Sequence, residues 1–323
     1  MYESFYKFNA NPFQLSPNPD VFYGSRGHRR ALAYLQYGLA QEEGFIVITG
    51  QVGTGKTMLV HALFNEIDER SLVSAKLVTT QLDDSQMLFM VAESFGLHCE
   101  GLGKAQVLNN LEDFFVEQRR DSKRVLLVID EAQNIPKKSL EELRMLSNIQ
   151  VDGKSLLQTF LLGQEEFVST LYAPDMEQLL QRVIASYHLK PLDSDEVRNY
   201  IEYRLGRVGW QGTPTFSAEA YQAIYLFTKG VPRRINNLCN RILLFGYLEE
   251  IFEFTAETIE VVIKELGEEI PVVRNKKIPV GDETINQRLL QIEERIAQLE
   301  DESRLERSRI RRALTMVANK VKS

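Results

Sequence analysis

The sequence predicts an α/β fold of three layers, a mostly parallel sheet covered by helices on both faces, with a small helical unit after it. Three observations predict it. Short apolar runs alternate with helical patterns from Gly44 to Leu189, strand signals fade after Pro191, and one apolar run leads straight into a glycine-rich turn that opens a helix.

Composition sets the bounds. A chain of 323 residues exceeds one compact module and suffices for two packed units. With 44% hydrophobic residues, 26% charged residues and a net charge of −7, it is an ordinary soluble chain without bulk attraction to nucleic acid or an anionic membrane. Local patches must carry any such binding. Cys99 and Cys239 lie far apart and outside any CxxC pattern, which excludes a disulfide framework and a zinc site and points to a reducing cytosol. His61, His98 and His188 have no metal-ligand spacing. No basic segment followed by an apolar run opens the chain, and no stretch reaches the roughly 18–20 apolar residues of a membrane span, so neither secretion nor insertion is expected.

Taken in order, FIVIT between Gly44 and Gly50 predicts a buried strand, and a helix follows from Lys56 to about Ile67. Further strands are predicted at Leu72 to Thr79, Val125 to Ile129, Leu156 to Leu162 and Ser186 to Leu189. Helices are predicted between them near Ser85 to Phe95, Lys104 to Arg119, Ser139 to Ser147 and Gln164 to Leu171. Beyond Pro191 come helical patterns at Ser194 to Val208, Ser217 to Thr228, Pro232 to Leu248 and Ala256 to Leu266. The expected organisation is a core over residues 1–192, a helical lid over 193–268, a linker over 269–284 and a tail over 285–323. In the tail, Ile285, Leu289, Ile292, Ile296 and Leu299 recur at spacings of four and three, a coiled-coil seam. From Ser303 onward seven basic residues face Glu306 alone, opposite in sign to the acidic body. Three readings of that end stay open: a solvated continuation of the coiled coil, a basic amphipathic helix on an anionic membrane, or a nucleic-acid contact.

The chemistry begins at Gly50-Gln51-Val52-Gly53-Thr54-Gly55-Lys56-Thr57, a full GxxxxGK[ST] P-loop between a predicted strand and a predicted helix. Glycines let backbone N–H groups turn inward around phosphate oxygens, and the N-terminus of the helix that runs from Lys56 through Met58 adds its positive end. Lys56 can reach the β and γ phosphates, and the Thr57 hydroxyl can ligate Mg²⁺. The apolar run Val125 to Ile129 ends in Asp130-Glu131, where Asp130 would hold Mg²⁺ and Glu131 would polarise the attacking water. A strand ending in two acids is weak evidence alone and strong after a full P-loop. A GTPase should add an Asn/Thr-Lys-x-Asp guanine reader, and none occurs, so ATP is the expected nucleotide.

The P-loop, Asp130-Glu131, an arginine in Leu180-Gln181-Arg182-Val183 and Gly230-Val231-Pro232-Arg233 follow the order of AAA+ ATPases. Asn11-Pro12-Phe13, Phe22-Tyr23-Gly24-Ser25, His28-Arg29-Arg30-Ala31, Asp130-Glu131-Ala132-Gln133 and Leu162-Gly163-Gln164 extend the likeness over about Met1 to Phe254. The chain resembles AAA+ ATPases of the general secretion pathway protein A type, most closely those associated with the PEP-CTERM/exosortase system. That resemblance implies ATP and Mg²⁺, a homo-oligomer, and a role in exopolysaccharide export and protein sorting at the cell envelope. The protein would be cytoplasmic or peripheral to the inner membrane. Secretion-type members carry a membrane span and a periplasmic module after the ATPase, and without them here a secretin or cell-wall role is not expected.

By motif, Gln164 stands where sensor 1 aligns the attacking water, although a glutamine after a strand also serves as a surface cap. Arg182 stands where an arginine finger reaches a neighbouring subunit, with an exposed helix arginine such as Arg198 as the plainer reading. Arg233 resembles the lid arginine of sensor 2, and Arg234 beside it leaves the choice open. For the adenine, Phe13, Tyr23 and His28 on one side and Ile235 on the other are candidates, whereas Phe5 and Phe8 read as core. A transposition-helper type of DNA-associated ATPase is the alternative function. It would need a basic DNA-reading element, which only the tail could supply, so nucleic acid is not the expected partner. A scaffold that binds ATP without turnover is opposed by intact Lys56, Asp130 and Glu131.

Overall fold

The computed structural model describes residues 1–269 apart from 17, 19–20, 68–69 and 79–85. The predicted linker beyond 269 and the coiled-coil and basic tail over 285–323 lie outside the described residues. Five strands form one parallel sheet: β1 Phe45–Thr49, β2 Leu72–Val78, β3 Arg124–Asp130, β4 Leu157–Gly163 and β5 Val183–His188, in the spatial order 2-3-4-1-5. Because successive side chains of a strand face opposite ways, central strands covered on both faces are mostly apolar, and the buried Gln158 of β4 is accommodated by donating to Gly38 O at 2.6 Å. In β1, Phe45 and Val47 enter one core while Ile46 and Ile48 enter the other. The first core is closed by α3 Met87–Ser94, α4 Lys104–Arg120, α5 Lys137–Leu146 and α6 Glu166–Leu171, and the second by α1 Arg26–Gln41 and α2 Lys56–Glu66.

The fifth strand begins three residues before its predicted start. It is an edge strand, mostly half-buried or exposed along its length, so its polar residues mask the apolar signal that marks the central strands. Register against β1 shifts between Phe45 and Ile46, where the Phe45 N–H donates to the Arg182 carbonyl at 2.9 Å.

The lid helices are α7 Ser194–Gly206, α8 Ala218–Thr228, α9 Pro232–Leu248 and α10 Ala256–Glu269. Their starts follow capping chemistry: Asp193 and Glu196 form a capping box on α7, the Ser217 hydroxyl accepts the Ala220 N–H at 3.1 Å, and Pro232 occupies the first turn of α9. The first fourteen residues make their polar contacts with this helical part. The Tyr6 hydroxyl donates to the Ile251 carbonyl at 2.8 Å, the Asn9 N–H to Val208 O at 2.9 Å, and Arg204 Nε to Pro12 O at 2.6 Å. Among the described residues no helix is long and apolar enough to cross a membrane.

Core and lid meet at Leu192 and Gly230, where the Leu192 N–H donates to Gly230 O at 2.9 Å. Gly230 has φ +71°, and a Cβ there would lie 2.0 Å from the Leu192 carbonyl oxygen. Gly96 has φ +81° and open space around it, so it isolates the cost of the left-handed backbone alone. Gly230→Ala should cost on the order of 2–3 kcal/mol and Gly96→Ala about 1 kcal/mol. Thermal unfolding reads this as a drop of several degrees for the first variant, at about 2–4 °C per kcal/mol. Equal melting temperatures for the two variants would contradict this joint.

Candidate nucleotide-binding site

The parallel sheet carries the C-terminal ends of β1, β3 and β4 side by side, and the loops leaving them form one site. The P-loop leaves β1 and opens α2 at Lys56. Two of its glycines are dictated by neighbours. Gly53 has φ +83°, and its missing Cβ would lie 2.5 Å from Arg233 Cβ. Gly55 has φ +99°, and its missing Cβ would lie 2.8 Å from His28 Nε2. The lid touches the loop directly, since the Arg233 N–H donates to Gly53 O at 3.2 Å.

His28 holds the loop from the other side. A carbonyl only accepts, so Nε2–H donates to Thr54 O at 3.0 Å and Nδ1 accepts from the Ser25 hydroxyl at 2.6 Å. Ser25 Oγ in turn accepts the His28 N–H at 3.2 Å, which caps α1. Burial holds this imidazole below its usual pKa and therefore neutral.

Lys56 is 7% exposed and donates to Gly50 O at 2.7 Å and Gln51 O at 3.1 Å. Burial pushes its ammonium below the usual lysine range, against the upward pull of Glu131 and Asp130. The Thr57 hydroxyl donates to Asp130 Oδ2 at 2.7 Å, and Lys76 Nζ on β2 lies 3.6 Å from the same oxygen. Thr57 and Asp130 thus bring a hydroxyl and a carboxylate to one point. Two hard-oxygen ligands fit Mg²⁺, which keeps waters and takes its other ligands from substrate phosphates. Among the described residues no group of three or more His, Cys, Asp or Glu side chains could hold a metal ion.

Glu131 stands in the left-handed region at φ 57° and ψ 43°, at the turn out of β3. Its Oε2 accepts from Gln133 Nε2 at 2.7 Å and Gln164 Nε2 at 3.1 Å. Burial raises the pKa of this carboxyl, but the two amide bonds and the Lys56 charge outweigh it and hold the group below the usual glutamate range.

A cavity of about 350 Å³, within the range of small-ligand sites, runs from Val52–Met58, Asp130 and Glu131 to Arg233 and the lid. Gly50 and Gln51 meet Lys56 through their carbonyls, and Gln164 reaches the site through Glu131. Arg182 stands apart from it: its guanidinium donates to Ser147 O at 3.3 Å, at the start of β5. Arg233 lines the cavity, whereas Arg234 stacks on Phe227 with Cζ 5.8 Å from the ring centre. Tyr23 and His28 line the cavity, His28 beside the P-loop. Phe13 and Ile235 do not, because both are core residues, 1% and 0% exposed. Tyr200, Arg204 and Asn236 of the lid take their place, joined by a Tyr200 hydroxyl bond to Asn236 Oδ1 at 2.7 Å. Nothing local in the sequence marks those three, or Lys76. Gln133 stands out in the sequence only as the last residue of Asp130-Glu131-Ala132-Gln133.

A family model described as an AAA domain matches residues 39–171. Over that stretch the chain is similar to AAA domains, and its fold is that of P-loop ATPases. It is related to general secretion pathway protein A of Aeromonas hydrophila, at 35% identity over 248 residues that take 76% of this chain and 45% of that protein. The chain therefore spans less than half the length of that relative. Solved structures of the same fold include ORC2 of Aeropyrum pernix with ADPNP and ADP, at TM-score 0.60 and 16% identity over 80% of this chain and 72% of that one. Cdc6p of Pyrobaculum aerophilum matches at TM-score 0.57 and 17% identity, over 78% and 70%. The RuvB Holliday junction branch migration motor of Thermotoga maritima matches at TM-score 0.50 and 17% identity, over 79% and 73%. At such identities the likeness is one of fold. Likeness to AAA domains implies a bound nucleotide, usually with Mg²⁺.

The buried His28 bond to the P-loop makes a prediction for this site. His28→Ala leaves the Thr54 carbonyl without its donor, a cost of about 1–3 kcal/mol. If that cost falls on the loop, ATP affinity should drop by roughly 5- to 150-fold. Titration calorimetry checks it, and an unchanged affinity would show that the loop holds its shape without the imidazole.

Proposed function

We propose that this ATPase works as a homo-oligomer and that ATP binding and hydrolysis drive a conformational change serving the cell envelope. In this reading residues 1–192 form the nucleotide-binding core and 193–268 the lid. Lys56 binds the phosphates, Thr57 and Asp130 hold Mg²⁺, Glu131 polarises the attacking water, and Gln164 and Arg233 sense the γ-phosphate. When bound, Mg²⁺ neutralises charge on the phosphates. The observation that carries the reading is the meeting of Lys56, the Thr57–Asp130 pair, the clamped Glu131 and Arg233 on one cavity.

Arg182 is proposed as a finger acting on a neighbour's site. Its carbonyl pairs with Phe45 at the N-terminal end of β1, whereas the P-loop leaves the C-terminal end. About 16 Å of strand, five residues at roughly 3.3 Å each, separates them, more than one side chain spans.

The envelope role, exopolysaccharide export with exosortase-linked protein sorting, rests on the secretion-protein relative and the sequence resemblance. It places the chain in the cytoplasm or against the inner membrane, with the basic tail as the element for membrane contact. The ORC structures of Drosophila and A. pernix that contain DNA match at 16% identity, so their DNA is a property of those proteins and does not favour a DNA-associated role here.

Three variants test the site together. Glu131→Gln should keep ATP affinity and slow turnover by about 10²-fold or more, whereas Lys56→Ala should lose affinity itself. Arg182→Ala should bind ATP and lose turnover by up to about 10³- to 10⁵-fold. Mixing Arg182→Ala with Glu131→Gln should restore activity above the sum of the two, because a Glu131→Gln subunit supplies the arginine that completes the intact Glu131 site of an Arg182→Ala neighbour. Near-normal turnover in Glu131→Gln would reject the base, and a mixture no better than its parts would reject the finger. In cells, normal surface polysaccharide in a strain carrying only Glu131→Gln would reject the envelope role.

A further inference from the structure

Gln133 has both polar ends of its side chain committed at the catalytic edge of the sheet, and none of the roles assigned above uses it. The left-handed Glu131 turns the chain out of β3 into a single 3₁₀ turn, Ala132–Asn134, closed by the Asn134 N–H on Glu131 O at 3.0 Å. That turn brings the Gln133 side chain back over Glu131, two residues earlier. Gln133 Oε1 accepts the backbone N–H of Gln164 at 2.9 Å, and Nε2 donates to Glu131 Oε2 at 2.7 Å. The orientation of the amide is fixed by chemistry. A backbone N–H only donates, so the carbonyl end must face Gln164, and an ionised carboxylate only accepts, so the NH₂ end must face Glu131.

The third side of the triangle is Gln164 Nε2, 3.1 Å from the same Glu131 oxygen. Two donors thus meet one carboxylate oxygen, and that oxygen's position fixes the rotation of the whole group. Because Gln133 also grips the backbone at the end of β4, a shift of Gln164 is transmitted to the Glu131 carboxylate through one rigid amide.

We propose that Gln133 is a positioning residue for ATP hydrolysis, which sets the rotation of the Glu131 carboxylate and couples it to the end of β4 at Gln164. The inference rests on Glu131 being the water-polarising group. Misplacing such a group by about 1 Å costs on the order of 10²-fold in rate while leaving the bound nucleotide untouched. The signature of Gln133 is therefore a loss in kcat without a loss in affinity, and a loss that exists only while Glu131 is present.

Two near-isosteric variants separate the two ends of the side chain. Gln133→Met removes both bonds. Gln133→Glu keeps an acceptor for the Gln164 N–H but removes the donor to Glu131 and sets a second carboxylate beside it. Steady-state ATPase assays, ATP affinity and melting temperature should be measured for both, for Glu131→Gln, and for Glu131→Gln combined with Gln133→Met. The expected result is a fall in kcat of roughly 10- to 100-fold in both Gln133 variants, with ATP affinity within about threefold of wild type. The double variant should be no slower than Glu131→Gln alone. Wild-type kcat in Gln133→Met, a loss carried by affinity in place of kcat, or a further multiplicative loss in the double variant would each overturn the proposal. Rapid hydrolysis by Glu131→Gln would remove the base assignment itself, and the inference with it, whatever the Gln133 variants do.

Discussion

Gly53 and Gly55 are the points at which two distant parts of the chain close on the phosphate loop, and the geometry of the site follows from those two approaches. At Gly53 the start of α9 comes so near that a single methyl group would collide with Arg233, and the loop carbonyl accepts the Arg233 N–H. At Gly55 the imidazole of His28 fills the space where a side chain would stand. Phosphate cradles need glycine so that backbone N–H groups can turn inward. Here the same residues also let the lid and the first long helix grip the loop, so its shape depends on both. The Leu192–Gly230 joint fixes how α9 arrives, and the bonds from Arg204 to the segment at Pro12 and Gln14 bring the N-terminal residues to the same cavity.

Around that loop the charged groups are paired within the protein. Lys56 is held by carbonyls of its own loop, Asp130 by Thr57 and Lys76, and Glu131 by two glutamine amides. Isolated buried charges would be costly, and each bond here gives its group a partner and an aim. The cost appears at Glu131, whose left-handed backbone is a strained choice for a residue with a Cβ. Strain at that one turn puts Gln133 within reach of the carboxylate.

The parts of this arrangement legible in the sequence are those in which neighbouring residues carry the whole signal. FIVIT, the P-loop and the start of α2 are contiguous, as are the apolar strand and the two acids that end it, and the structure places both as expected. β5 was half legible because an edge strand needs no continuous apolar run. The cavity wall beyond the P-loop is not legible from aromatic or aliphatic character: Phe13 and Ile235 satisfy the core instead. Its actual lining by Tyr200, Arg204 and Asn236 depends on how two lid helices pack against the N-terminal segment, which no local pattern records. The choice between Arg233 and Arg234 is one of helical phase. One residue of rotation carries Arg234 onto Phe227, away from the loop. The Gln133 bond depends on the left-handed conformation of Glu131, which sequence does not announce at a residue other than glycine or asparagine.

If the P-loop is a joint held from both sides, binding at the loop must be felt at once by the lid and by the segment around His28. Hydrogen–deuterium exchange with and without a non-hydrolysable ATP analogue and Mg²⁺ tests this most directly. The account expects slowed exchange in residues 50–58, 230–237 and 25–31 together, with the same dependence on nucleotide concentration. Protection of the P-loop with the α9 start and the His28 segment unchanged would contradict it.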